Sequence, residues 1–427
     1  MTNKIYKFDS GLTLMYCKNT VNNATNLNIC FDCGARCDGE LAGLSHFCEH
    51  MFFTGTKELS KQEISKKYLD FIRTNAYTSG EHITFTGEIF TNKLADYLDT
   101  VVEMILKSRF NKQSVEEEKK VVIQEIVRGY NDGEQKAYDL FKYEIYGDEY
   151  YKNGVLGSEK SVKQITSKDV RNYVKKYFVN NNCYIYICSP LSFSKVKKII
   201  SDHFESKMRT NGLSPLPHNK DTNKIKHKLA IYNNSKINKV FLKFAFKVDC
   251  DIKNIDARNS YVLLSNLIGD MGDGLFKKLR LDNSLVYAVN SDWITTKNTI
   301  CIIIETVTSK ENINPCIDVI TDYLRELKQN GITQEMLDKI KVNENYYWQT
   351  QINTPSHAIN KLSTYRIYNR YVSDKELHNS YQNMSLKRLN QAVDNIYYNS
   401  AMVAFANGNI TKKDMYTLKE ILSKLKV

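Results

Sequence analysis

His46 and His50 stand four residues apart and enclose Glu49 in the run LSHFCEHM that starts at Leu44. Imidazole nitrogens are good zinc donors, and a carboxylate beside them can accept a proton from water, so the three side chains suit metal-assisted hydrolysis. Leu44, Phe47, Cys48 and Met51 recur at the spacing of a buried helical stripe. That places His46, Glu49, His50 and Phe53 on the opposite face. The two imidazoles are then about 6 Å apart along the axis, within reach of one ion. The same pentapeptide equally fits an ordinary solvated helix face, and a catalytic zinc needs a third protein ligand and an open fourth position.

A second charged helix, residues 114–130, can supply that ligand. Glu118 and Glu125 lie seven apart on one face, with Val122 between them and Val121 alongside. Carboxylates among valines are costly to bury unless a cation or hydrogen-bond donors meet them. A solvated helix accounts better for Glu116 and Glu117 than for Glu125.

HFCEHMFFTGT, then NAYTSGEH, then Glu118 and Glu125 resemble the pitrilysin and insulin-degrading-enzyme family of zinc metallopeptidases, which includes the mitochondrial processing peptidases. The inverted His-x-x-Glu-His order is a recognised signature, and the resemblance spans nearly the whole chain, as a short two-domain type. It implies that His46, His50 and Glu125 ligate one zinc per chain and that Glu49 takes the proton of the zinc-bound water. Glu118 matches the family's second acidic position, in a supporting role around the ligands.

The resemblance also extends to substrate handling. Residues 75–85, NAYTSGEHITF, are rich in strand formers and resemble the family's edge strand beside the zinc, which implies substrate binding by Asn75, Ala76 and Thr78. A plain structural strand is the alternative. In the second half, GDGLFKKLRLDNSLVYAV resembles the family's glycine-rich segment and carries Arg280 and Tyr287 seven apart. These would hold a peptide carbonyl and stabilise its developing oxyanion; the alternative is a surface arginine and a core tyrosine. Family sites form in a chamber of four such domains, so a chain with two implies a homodimer, or a heterodimer with a related subunit.

The elements that must position these residues are legible as a repeat. The stretches beginning at Ser167 and at Ser385 each read as helix, Asn-containing break, strand, turn and helix, at an offset of 218. Alternating runs at Lys4–Tyr16 and Asn26–Cys33 read as strands, with a hairpin signal at Asp9–Gly11. The expectation is an α+β protein of two homologous domains, each a mixed, mainly antiparallel sheet with helices packed on it, closing as a clamshell on dimerisation. Residues 1–208 form the zinc-binding domain, 209–227 a linker, and 228–427 the domain without metal. The offset carries His46, Glu49, His50 and Glu125 onto Leu264, Leu267, Ile268 and Asn343, so only the first half can hold the ion.

Composition narrows the remaining classes. The 427 residues include 42% hydrophobic and 25% charged side chains, enough for real cores. A net charge of +12 invites a nucleic-acid reading, but the lysines are scattered rather than clustered, which argues against it. No signal peptide and no long apolar run are visible, so a cytoplasmic protein with no membrane span and ten reduced cysteines is expected. Cys48, inside the metal motif, could confer sensitivity to bulky thiol reagents. Gly269, Gly272 and Gly274 lack phosphate-loop spacing, and Cys30, Cys33 and Cys37 lack a partner pair for a zinc ribbon. A zinc metalloendopeptidase acting on peptides or unfolded segments is therefore expected; the rival is a catalytically silent, peptide-binding subunit of the same family.

Overall fold

The computed structural model describes residues 3–131, 133–148, 150–211, 226–296, 298–352, 354–365 and 370–426. Of the expected linker, residues 212–225 lie outside the described residues. The chain groups into two units. One holds residues 1–128, 149–218 and 351–371, and the other holds 129–148, 219–350 and 372–427.

The first unit is built on a six-stranded sheet. Its strands are β1 (Asn3–Lys7), β2 (Thr13–Lys18), β3 (Ala24–Phe31), β4 (Arg73–Thr78), β5 (Ile83–Phe90) and β6 (Cys183–Ser189), in the order β1-β2-β6-β3-β5-β4. Only β2 and β6 run parallel. The hairpin before β2 turns at Gly11, whose φ of 91° is open to glycine and whose missing Cβ leaves room for Asn181. The second unit has β7 (His227–Asn233), β8 (Val240–Asp249), β9 (Val289–Thr295), β10 (Thr299–Thr308) and β11 (Ala401–Gly408), in the order β7-β11-β8-β10-β9. Its one parallel pair is β7 with β11. Leaving out β1, the two sheets have the same strand order, and β6 and β11 begin at Cys183 and Ala401, again 218 apart. Two homologous α+β domains are what the chain forms.

Alternation along the strands makes the cores. On β8, Val240, Leu242, Phe244, Phe246 and Val248 face a helical layer that includes Leu263, Leu264, Ile317 and Ile320. The other face, with Phe241, Lys243 and Ala245, meets the helix Glu134–Tyr146, where Lys243 pairs with Glu305 and Phe141 packs on Phe405. In the first unit the corresponding face, with Met15, Cys17, Cys30, Tyr186 and Cys188, is covered by Ala358, Ile359 and Leu362 from the helix Pro355–Ser363. Each covering helix comes from the sequence of the other half. None of the ten cysteines is joined in a disulfide. No helix among the described residues is long and apolar enough to cross a membrane.

Candidate metal centre

The site begins with the helix α1 (Leu44–Met51), only eight residues long. Its start is set by Asp38, whose carboxylate accepts from the backbone N–H of Gly43 (2.7 Å) and Ser45 (2.8 Å), donors a helix cannot satisfy internally. Gly43 sits at φ 91°, and a Cβ there would come within 2.5 Å of the Leu156 carbonyl oxygen. The expected stripe of Leu44, Phe47, Cys48 and Met51 is buried, each large apolar member contributing about 1.5–3 kcal/mol. The opposite face is not solvated as a surface helix would be: His46 and Glu49 are buried too, and His50 is partly so. Two further elements cover that face.

One is α4, if α2 (Lys61–Leu69) and α3 (Leu94–Lys107) are counted before it; α4 spans Lys112–Asn131. Its buried stripe is Val115, Glu118, Val122 and Ile126, so one carboxylate lies among apolar side chains. Glu118 meets donors there: Oε1 is 2.9 Å from His50 Nδ1, and Oε2 accepts from Lys61 Nζ at 3.1 Å. Glu125, with a side chain 44% exposed, reaches both histidines from the same helix. Its Oε2 lies 3.4 Å from His50 Nε2 and 3.7 Å from His46 Nε2. One ligand atom from each of His46, His50 and Glu125 lies within 4.8 Å of the others, a grouping with no equal among the described residues. Tetrahedral zinc with bonds near 2.05 Å has ligand atoms about 3.3 Å apart. The donor set and spacing therefore fit that ion.

The second element is β4, at the edge of its sheet and paired only with β5. Thr78, its last residue, donates its hydroxyl to Glu49 Oε2 at 2.7 Å. Asn75 is exposed and Ala76 buried, and the Asn75 carbonyl accepts from Tyr68 on α2 at 2.9 Å. The structure thus brings Thr78 to Glu49 and commits its side chain there, while Asn75 and Ala76 lie on the same edge strand.

Electrostatics follow from this crowding. Burial raises the pKa of Glu49, opposed by the Thr78 hydrogen bond. Burial and the neighbouring His50 lower His46 to about 4. His50 is also disfavoured as a cation by burial, but contacts with Glu118 and Glu125 outweigh this and raise it to about 9. Burial opposes the charge of Glu118, yet His50 and Lys61 hold its carboxyl below the usual range. The hydrogen bond from His50 is the main cause of the lowered Glu125. A cluster so rich in carboxylate recruits a cation, and without a metal that cation is a proton on His50.

In the second unit, Arg280 Nη1 donates to the Val286 carbonyl at 3.2 Å, and its guanidinium lies 4.9 Å from the Tyr287 ring centre. Tyr287 is 82% exposed, so it is not a core tyrosine. Gly274, in the preceding segment, has no room for a Cβ, which would come within 2.6 Å of the carbonyl oxygens of Ile268 and Asp270. Leu264, Leu267 and Ile268, opposite the metal motif in the repeat, are buried in the core.

Three residues of the site escaped sequence reasoning: Asp38, Lys61 and Tyr68. The start of α2 is legible, since Ser60 and Glu63 form a capping box. Nothing local says that Lys61 meets Glu118 or that Tyr68 meets β4. Cys48 is fully buried and burial raises its thiol well above the usual range; the expected sensitivity to bulky thiol reagents therefore has no accessible thiolate behind it.

Comparison with known proteins gives a consistent answer. Residues 14–157 match insulinase, peptidase family M16, and residues 164–343 match the peptidase M16 inactive domain. An uncharacterized zinc protease of Bacillus subtilis is 26% identical over 344 residues, covering 79% of this chain and 81% of that protein. A protease from Helicobacter pylori superposes with a TM-score of 0.85 at 18% identity, covering 95% of this chain and 99% of that one. The periplasmic protease PqqL from Escherichia coli superposes with a TM-score of 0.82 at 15% identity, covering 99% of this chain but 49% of its own.

Proposed function

This chain belongs to the insulinase-type peptidases, family M16, and from that premise we propose that it is a zinc metalloendopeptidase that hydrolyses peptides or unfolded segments in an enclosed chamber. The observation that carries the reading is the convergence of His46, His50 and Glu125, whose ligand atoms lie within 4.8 Å of one another, with the buried Glu49 on the same short helix as the histidines. Those three residues would hold one zinc, which when bound supplies a Lewis acid and lowers the pKa of water to about 7.

The chain's own groups do the rest. Glu49 accepts the proton of the attacking water on its carboxylate and later returns it to the leaving amine. A raised pKa suits both halves of that task. Glu118 orients the His50 ring, leaving Nε2 free for the ion. The free edge of β4 offers main-chain groups to an extended peptide, with Asn75 and Ala76 in contact with it, so recognition is of backbone more than of side chains. Arg280 and Tyr287 would hold the scissile carbonyl of a peptide bound to a second copy. A homodimer is supported by PqqL, whose single chain is about twice as long as this one, and by the presence of both half-sites in one sequence. The intact ligand set speaks against a silent scaffold.

The test is zinc content together with cleavage of a mixed library of synthetic decapeptides, for the wild type and Glu49→Gln. The reading requires zinc in both and cleavage only in the wild type. Equal cleavage by the two zinc-loaded proteins would remove Glu49 from the mechanism.

A further inference from the structure

We propose that Thr78 is a positioning residue that ties the orientation of Glu49 to the seating of a peptide on the β4 edge, rather than a substrate contact in its own right. This rests on the reading of Glu49 as the base.

The geometry is specific. Thr78 ends β4, the strand whose outer edge carries no partner among the described residues, and its hydroxyl donates to Glu49 Oε2 at 2.7 Å. Glu49 is 9% exposed and lies on a short helix among buried neighbours. A glutamate carboxylate on three rotatable bonds has to be held if one oxygen is to meet an attacking water, and the Thr78 hydroxyl is a donor aimed at its other oxygen. Glu49 itself is held to the metal ligands by the backbone, since His50 is its neighbour and His46 one turn back.

The strand is itself clamped. Tyr68 donates to the Asn75 carbonyl on the same strand, and Tyr68 lies on α2, whose first residue, Lys61, pairs with Glu118 behind His50. Beyond Thr78, the turn is fixed by backbone bonds from Ala35 and Arg36 to the carbonyls of Ser79 and Gly80. Arg36 also pairs with Glu81 at 2.7 Å. Added main-chain hydrogen bonds along the outer edge of β4 would stiffen a strand that already grips the base. Peptide binding and base alignment would thus be mechanically linked, with no mobile element needed.

The test compares full-length wild type, Thr78→Val, Thr78→Ser and Glu49→Gln on one quenched fluorescent decapeptide taken from the library that the wild type cleaves. Valine keeps the branched shape suited to a strand but removes the donor; serine restores the donor. The expected result for Thr78→Val is a fall in kcat of about 10- to 100-fold, with KM within about twofold of wild type, since main-chain pairing is untouched. Zinc content and melting temperature stay at wild-type values, and Thr78→Ser recovers most of kcat. Wild-type kcat in Thr78→Val, or a loss confined to KM, overturns the inference, the second result marking Thr78 as a substrate contact. If valine unfolds the chain, serine decides: wild-type kcat supports the inference, and a valine-like loss in folded serine variant overturns it. Glu49→Gln separates the levels. Wild-type cleavage by that variant overturns the base reading and this inference together, whereas its inactivity beside a fully active Thr78→Val overturns this inference alone.

Discussion

His50 Nδ1 lies 2.9 Å from Glu118 Oε1, and the other ring nitrogen faces Glu125. One buried carboxylate therefore settles which nitrogen of His50 is offered to an ion. His46 is held differently: its Nδ1 has no hydrogen-bond partner among the described residues. The two imidazoles are supported unequally, and the carboxylate behind His50 is the partner whose loss should be felt most.

Glu118→Gln should therefore weaken zinc binding by about 10- to 100-fold while the fold persists. Competition with a chromogenic chelator measures this directly. An unchanged dissociation constant would mean that packing alone orients the His50 ring.

Proton release should accompany metal uptake. With His50 raised to about 9 and His46 lowered to about 4, the metal-free protein at neutral pH carries one imidazolium and one neutral imidazole. Zinc must displace the His50 proton, so affinity should rise about tenfold per pH unit toward 9 and level off above it. Calorimetry in buffers of different ionisation enthalpy should count close to one proton released near neutral pH. A count near zero would show that His50 is already neutral.

Gly43→Ala tests the entry to α1. The substitution places a side chain at φ 91° and against the Leu156 carbonyl, at a cost of about 1–3 kcal/mol. Lower thermal stability and weaker zinc retention should appear together, because the helix that starts at Gly43 carries both imidazoles. Wild-type melting would show that the loop yields without strain.

Mixing two inactive variants tests the shared site. If Arg280 and Tyr287 serve a neighbouring chain's zinc, Glu49→Gln and Arg280→Ala proteins, each inactive alone, should complement after exchange of subunits. Equal mixing gives one competent site in each mixed dimer, about a quarter of wild-type activity. Absence of any recovery, with exchange verified by differential labelling, would place the pair and the zinc in one chain.

Much of this was present in the sequence because it is local. The period of Leu44, Phe47, Cys48 and Met51, the seven-residue step from Glu118 to Glu125 and the offset of 218 depend only on helical geometry and on duplication, and they pointed to the helices that carry His46, His50, Glu118 and Glu125 and to the two similar mixed sheets. What tertiary structure alone decided concerns contacts between elements far apart in the chain. Only folding could bury the polar face of α1, give Lys61 to Glu118, turn the Thr78 hydroxyl onto Glu49, and bring the helices Glu134–Tyr146 and Pro355–Ser363 to the sheets of opposite halves. A short-range pattern states which face of a helix is apolar; which strand or carboxylate meets the other face depends on long-range packing, and that leaves no periodic mark in the sequence.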